Sequence, residues 1–181
     1  MKAWFVTFAE YTREANRTVY TILDGLPPEE REKERGSYYG SLSGLVLHLL
    51  GGTLFFHSLF KDVLGKECAA VKTLDYPAVS LPKGKLSEAQ WKSLGPVFES
   101  ADAATIEFIN TLKDEELNSP VKLTWYGGNP PSVPLFFMLQ QITVHGVHHR
   151  GQISQILDEL KVDNDYSGIN VAFLPKGSPE K

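Results

Sequence analysis

The run His145-Gly146-Val147-His148-His149-Arg150-Gly151-Gln152 holds three of the chain's five histidines. His145 and His149 are four apart. On an α-helix that spacing stacks two side chains on one face, one turn apart. Two imidazoles so placed can share a metal ion. The apolar residues on either side continue by threes and fours: Leu135, Met138 and Ile142 before, Ile153, Ile156 and Leu160 after. Both histidines therefore lie on the stripe that faces a core. His148 sits roughly 60° off His145, on the flank of the helix. Gln152 returns to within about 20° of His145, where an amide could orient a substrate or a bound water.

A third histidine has the same character. His48 falls on an apolar stripe with Leu45, Gly52, Phe55 and Leu59 and points inward. His57, nine residues later, is about 180° around that helix and is excluded from the group. Three inward imidazoles from two helices make a three-nitrogen site for one divalent metal ion, with a coordination position left open. Such a donor set suits nickel or zinc, and also iron or copper. A second reading stays open at this stage, in which the histidines are core residues with hydrogen-bond partners. A buried neutral imidazole without a partner costs about 1–3 kcal/mol, so an inward pair needs either partners or a metal.

Several other chemistries are excluded. No Glu follows His145, so the zinc-protease pattern with its built-in base is missing. No Glu-x-x-His pair occurs, which removes a di-iron carboxylate bundle. The lone Cys68 has no partner for an internal disulfide and no neighbouring His or Asp to activate it, so an inert free thiol is expected. Gly44, Gly51 and Gly52 form no phosphate loop and instead leave room beside His48.

Elements that position these residues can be traced along the chain. The first helix is predicted from Lys2 to Leu23 on the stripe Trp4, Phe8, Tyr11, Ala15, Val19 and Ile22, and ends at Gly25 and Pro27-Pro28. Pro28 to Arg35 reads as a charged, solvated loop or turn. The second helix runs from Ser41 to Val63. The third runs from Ser87 to Leu112 on Trp91, Leu94, Phe98, Ala101, Thr105, Phe108 and Leu112, opened by the capping box Ser87/Gln90. The fourth runs from Val133 to Leu160, with Ser132 as its cap and Pro134 in its first turn. Residues 64 to 86 are long enough to cross a bundle and let helices two and three run parallel. Val121 to Tyr126 alternates with period two before Gly127-Gly128-Asn129-Pro130-Pro131, which reads as a short strand or half a hairpin. Tyr166, Ile169, Val171, Phe173 and Leu174 are available to pack back on the helices.

The fold class expected is all-α: one domain over residues 1–181, a four-helix bundle with a small β-hairpin before the last helix. A chain of 181 residues with 42% hydrophobic and 22% charged residues can bury a full core. A net charge of −4 without a basic stripe leaves no electrostatic footprint for nucleic acid. The apolar start Ala3 to Ala9 is cut short by Glu10 and Arg13, too short for a membrane span or a leader peptide. A single cysteine suits the cytoplasm.

His145-x-x-His148-His149-Arg150-Gly151-Gln152 resembles the motif of the DinB-like family (DinB/YfiT superfamily). Tyr11-x-Arg13-x-Ala15-Asn16 is similar to that family's first helix. Arg35-Gly36-Ser37 to Ser41, with His48-Leu49-Leu50, resembles the approach to its first ligand. The resemblance implies an up-down-down-up bundle and one divalent metal, nickel or zinc, on His48, His145 and His149. It implies a homodimer and a small-molecule substrate handled with a low-molecular-weight thiol by a transferase or isomerase; a hydrolase is the further option. The candidates to stand behind the ligands are Gln152 and His148 by helical angle, with His148 otherwise exposed, and Thr53 by its place after the first ligand. The family name refers to damage-inducible expression and carries no DNA-binding role. The chain departs from relatives at Leu47 and Val144, where an Asn often precedes a ligand, and at Thr53, where an Asp is frequent. Loss of those polar groups leaves a non-catalytic metal- or small-molecule-binding protein as the alternative.

Overall fold

The structure is a computed structural model and describes residues 1–66, 68–76 and 80–173. It is mostly helical. Helix α1 spans Lys2–Asp24, α2 is the single turn Pro28–Arg31, α3 spans Leu42–Leu64, α4 spans Glu88–Thr111 and α5 spans Leu135–Glu159. Strands β1 (Pro120–Lys122) and β2 (Ser132–Pro134) form an antiparallel pair, with Val121 opposite Val133.

Helix starts follow the local chemistry. The Ser41 hydroxyl accepts from the Gly44 N–H at the head of α3. Ser87 and Gln90 close a reciprocal capping box on α4. The expected Ser132 cap is absent because Ser132 is paired in β2, and α5 begins one residue after Pro134. Pro134 suits that place, since the strand end needs the extended backbone and the first helical turn has no use for its missing N–H. The Leu135 N–H is taken by the Ser119 carbonyl instead.

The four long helices share two continuous apolar clusters. Phe60, Phe108, Leu135 and Met138 lie in one, and Leu45, Trp91, Leu94 and Ile153 in the other. Burying each such side chain contributes about 1.5–3 kcal/mol. Polar pairs fix which helices meet. On α1, the Lys2 ammonium reaches the Asn110 and Leu112 carbonyls, Asn16 meets Asp102 and Tyr20 stacks on Trp91. Arg150 of α5 donates to Asn16 of α1, and His57 of α3 meets Thr105 of α4. His48 of α3 meets His145 of α5. A 3-10 turn at Ala69–Leu74, in the connector after α3, adds Ala70 and Leu74 to the core.

Three expectations are corrected. Trp4 and Phe55, placed on apolar stripes, are half-exposed; Phe5 and Phe56 beside them take the buried positions. Periodicity marks a stripe but not which of two adjacent aromatics ends inside it. The segment after α1 is not simply solvated: Arg31 is buried, donates to the carbonyls of Leu23, Asp24 and Leu26, pairs with Glu88 and lies over Trp91. A guanidinium with five donors can satisfy the orphan carbonyls that end α1. Tyr166 and Phe173 pack back, Phe173 against Tyr11, whereas Ile169 is exposed. Leu174 and the side chain of Val171 lie outside the described residues.

Helix α3 is long and apolar enough to cross a membrane by length and composition. Here its apolar residues are spread through both core clusters, and His48, Thr53 and His57 along it are hydrogen-bonded. That is the character of a core helix.

Candidate metal centre

Helices α3 and α5 bring His48, His145 and His149 together. One ring nitrogen from each lies within 4.8 Å of the others. His48 Nε2 and His145 Nε2 are 2.9 Å apart. The rings stand edge to face, with His48 and His149 centroids 4.4 Å apart and His145 and His149 centroids 4.5 Å apart. No carboxylate or thiolate belongs to the cluster among the described residues.

Two features aim these nitrogens. The Gln152 carbonyl oxygen lies 2.7 Å from His149 Nδ1. An amide oxygen only accepts, so Nδ1 carries the proton and the Nε2 lone pair is left free. Gly52 makes space for the second ring: a Cβ there would stand 2.5 Å from His145 Cε1. Burial keeps the imidazoles neutral. His145 is pushed down to about 4, by burial first and then by its histidine neighbours. His48 is lowered by burial and then by His149; His149 is lowered by burial, against the Gln152 hydrogen bond. Neutral imidazole is the form that binds a metal. Convergent ring nitrogens, one tautomer set from behind and a glycine-made gap together fit a divalent ion.

Behind the cluster, Arg150 anchors α5. Its guanidinium donates to the Asn16 side-chain oxygen at 2.9 Å and lies over Tyr11, while its carbonyl accepts from the Tyr166 hydroxyl. The Asn16 amide donates to both Asp102 oxygens, at 3.1 and 3.0 Å. Burial pushes Asp102 up to about 7, against the Asn16 hydrogen bond and the Arg150 charge. Gly146 clears the path, since a Cβ there would stand 2.9 Å from Arg150 Nη1. The sequence motif thus alternates cluster residues (His145, His149) with packing residues (Gly146, Arg150).

The remaining expected residues divide. Gln152 holds an imidazole rather than a substrate. His148 is exposed and lines, with Gln152, a surface cavity of about 720 Å³. Thr53 turns its hydroxyl back to the Leu49 carbonyl at 3.4 Å and borders a small internal cavity beside Asp102 and Thr105, so it does not back the imidazoles. Cys68 is buried, and burial raises its thiol further, as expected of an inert cysteine. His57 is outside the cluster, as its helical angle required.

Tyr39 is the residue the sequence reading missed. Its ring stacks on His48 with centroids 3.9 Å apart and meets His149 edge-on at 5.2 Å. Its hydroxyl lies 2.8 Å from His48 Nε2. Its place within the stretch from Arg35 to Ser41 was the only available signal.

The fold and site define a helical protein with a three-histidine cluster positioned to bind a metal ion. The DinB family model matches residues 1–163, and the chain belongs to that family. No curated protein and no solved structure matches it significantly.

Proposed function

We propose that this protein binds one divalent metal ion, nickel or zinc before iron or copper, on His48, His145 and His149, and uses it as a metal-dependent enzyme on a small molecule. The observation that carries this reading is the approach of His48 Nε2 to His145 Nε2, 2.9 Å, within a carboxylate-free cluster of three. In this reading the long helices form a single-domain bundle of up-down-down-up order. The contacts of Lys2 with Asn110 and of Tyr20 with Trp91 support opposite directions for α1 and α4, and those of Asn16 with Arg150 and of His57 with Thr105 suit parallel neighbours.

A bound divalent ion supplies Lewis acidity and lowers the pKa of a water or thiol that joins it. The chain's residues do the rest. Gln152 holds His149 in one tautomer, Arg150 ties the cluster helix to α1, and the cavity beside His148 and Gln152 offers room for a substrate or a low-molecular-weight thiol. Thiol transfer or hydrolysis is the reaction class we assign. We place the protein in the cytoplasm, as a homodimer, with no nucleic acid or membrane partner.

A second reading, a metal- or small-molecule-binding protein without catalysis, is favoured by Leu47 and Val144 beside the cluster, neither of which carries a polar group. One sequence of measurements separates them. Elemental analysis of untagged protein is expected to find one equivalent of metal; its absence sinks the first reading and leaves only small-molecule binding of the second. Metal-loaded protein is then screened with thiols and electrophiles against His145→Ala. Equal turnover by the two proteins leaves only the second reading standing.

A further inference from the structure

We propose that the Tyr39 hydroxyl is the hydrogen-bond donor beside the open coordination position and holds the exogenous anion that completes the site. This rests on the metal reading above. The loop before α3 builds the position. The Arg35 N–H donates to the Gly40 carbonyl at 2.8 Å and the Gly40 N–H to the Ser37 carbonyl at 2.9 Å. Gly40 sits at φ +73°, in the left-handed region that closes this tight loop. The loop lies directly on α3: a Cβ on Gly44 would stand 1.9 Å from the Tyr39 carbonyl oxygen. Backbone contacts and the two ring contacts, on His48 and His149, therefore fix the phenol over the cluster.

The hydroxyl faces a nitrogen with too many claims on it. His48 Nε2 has Tyr39 Oη at 2.8 Å and His145 Nε2 at 2.9 Å. One imidazole nitrogen offers one lone pair or one proton. When that lone pair goes to a cation, the hydroxyl loses its acceptor while the ring stays pinned. A partly buried phenol without an acceptor is costly, so its proton turns to the nearest electron-rich group. Beside a three-nitrogen cation that group is the incoming ligand: an anionic oxygen, nitrogen or sulfur donor. No other uncharged hydroxyl lies within hydrogen-bond distance of the three imidazoles among the described residues.

Cobalt(II)-loaded full-length protein tests this, with azide as the exogenous anion and the visible d–d bands as the readout. Wild type, Tyr39→Phe and the control Tyr38→Phe (Tyr38 is 94% exposed) are compared, with circular dichroism to confirm folding. All three should take up one equivalent of cobalt. The azide dissociation constant should rise about tenfold in Tyr39→Phe, the scale of one hydrogen bond to a charged group, and stay unchanged in Tyr38→Phe. Unchanged azide affinity in Tyr39→Phe overturns the proposal. So does loss of cobalt itself from folded Tyr39→Phe, which would make the hydroxyl a ligand. Failure of wild type to take up cobalt refutes the metal reading first, and Tyr39's role with it.

Discussion

Helix α3 carries two histidines, His48 and His57, in opposite states. His57 is a satisfied core residue. Its Nε2 lies 2.8 Å from Thr105 Oγ1, whose own proton goes to the Ala101 carbonyl, so Nε2–H donates and Thr105 accepts. Its Nδ1 then accepts from the Tyr76 hydroxyl at 2.7 Å. Every polar atom has one partner of the right kind. His48 instead points one nitrogen at another imidazole nitrogen and a hydroxyl together. The difference teaches that what sets a candidate ligand apart is a ring nitrogen with more neighbours than it can serve, not burial or a place on an apolar helix.

The largest effect that could break this contrast is on metal uptake. His145→Ala should lower affinity by well over the roughly 10–100-fold that loss of an outer partner costs, while His57→Gln should leave stoichiometry and affinity unchanged. Equilibrium competition with a chelating dye reads both. Comparable losses in the two variants would erase the distinction.

Stability against pH tests the satisfied core histidine directly. His57 is pushed down to about 4 from its ordinary 6.5, by burial first and by the Lys61 charge second. The unfolded chain therefore protonates this imidazole before the folded one does. Its contribution is complete above the ordinary imidazole range and is lost as pH falls from 6.5 toward 4, about 3 kcal/mol in total. Urea unfolding of metal-free protein at pH 7 and pH 5 should show a smaller acid loss for His57→Gln than for wild type. Equal slopes would mean that His57 is not held neutral by the fold.

A smaller effect probes the imidazole oriented from behind. Gln152→Ala frees the His149 tautomer and should weaken metal binding about 10–100-fold, as outer partners of ligating histidines do. Gln155, one turn away and bonded to Glu159, serves as the control, since Gln155→Ala should do nothing to metal affinity. A Gln152→Ala protein with wild-type affinity would show that the ring is held by packing alone.

Much of this contrast was legible in the chain because it is local. Four-residue spacing put His145 and His149 on one face, stripe position turned His48 inward, and nine residues turned His57 away. What was not legible depends on the chain meeting itself at long range. Tyr39 reaches the cluster because a loop folds over the start of α3, and loop conformation leaves no periodic trace. Asn16 meets Asp102 and Arg150 across sequence separations of 86 and 134 residues. Thr53 was expected behind the ligands, but a Thr in a helix readily bonds its own preceding turn. Ser132 looked like a cap until its strand partner, Lys122, was known.

The last prediction lies between the two histidines, at Gly52, and has two signs. Replacing a helical Gly with Ala stabilises a helix by up to about 1 kcal/mol. The new Cβ would stand 2.5 Å from His145 Cε1, at the far end of a side chain that can turn aside. In metal-free protein that turn is cheap, so Gly52→Ala should change stability by less than about 1 kcal/mol. With a metal the ring is tied at its nitrogen and cannot turn without losing its bond. The gain in melting temperature on adding zinc should therefore shrink, as expected for an affinity loss of about tenfold. Thermal melts with and without zinc separate the two signs. A variant that loses stability without metal, but keeps the full zinc-dependent gain, would show that Gly52 serves the core that includes His57 and not the ligand at His145.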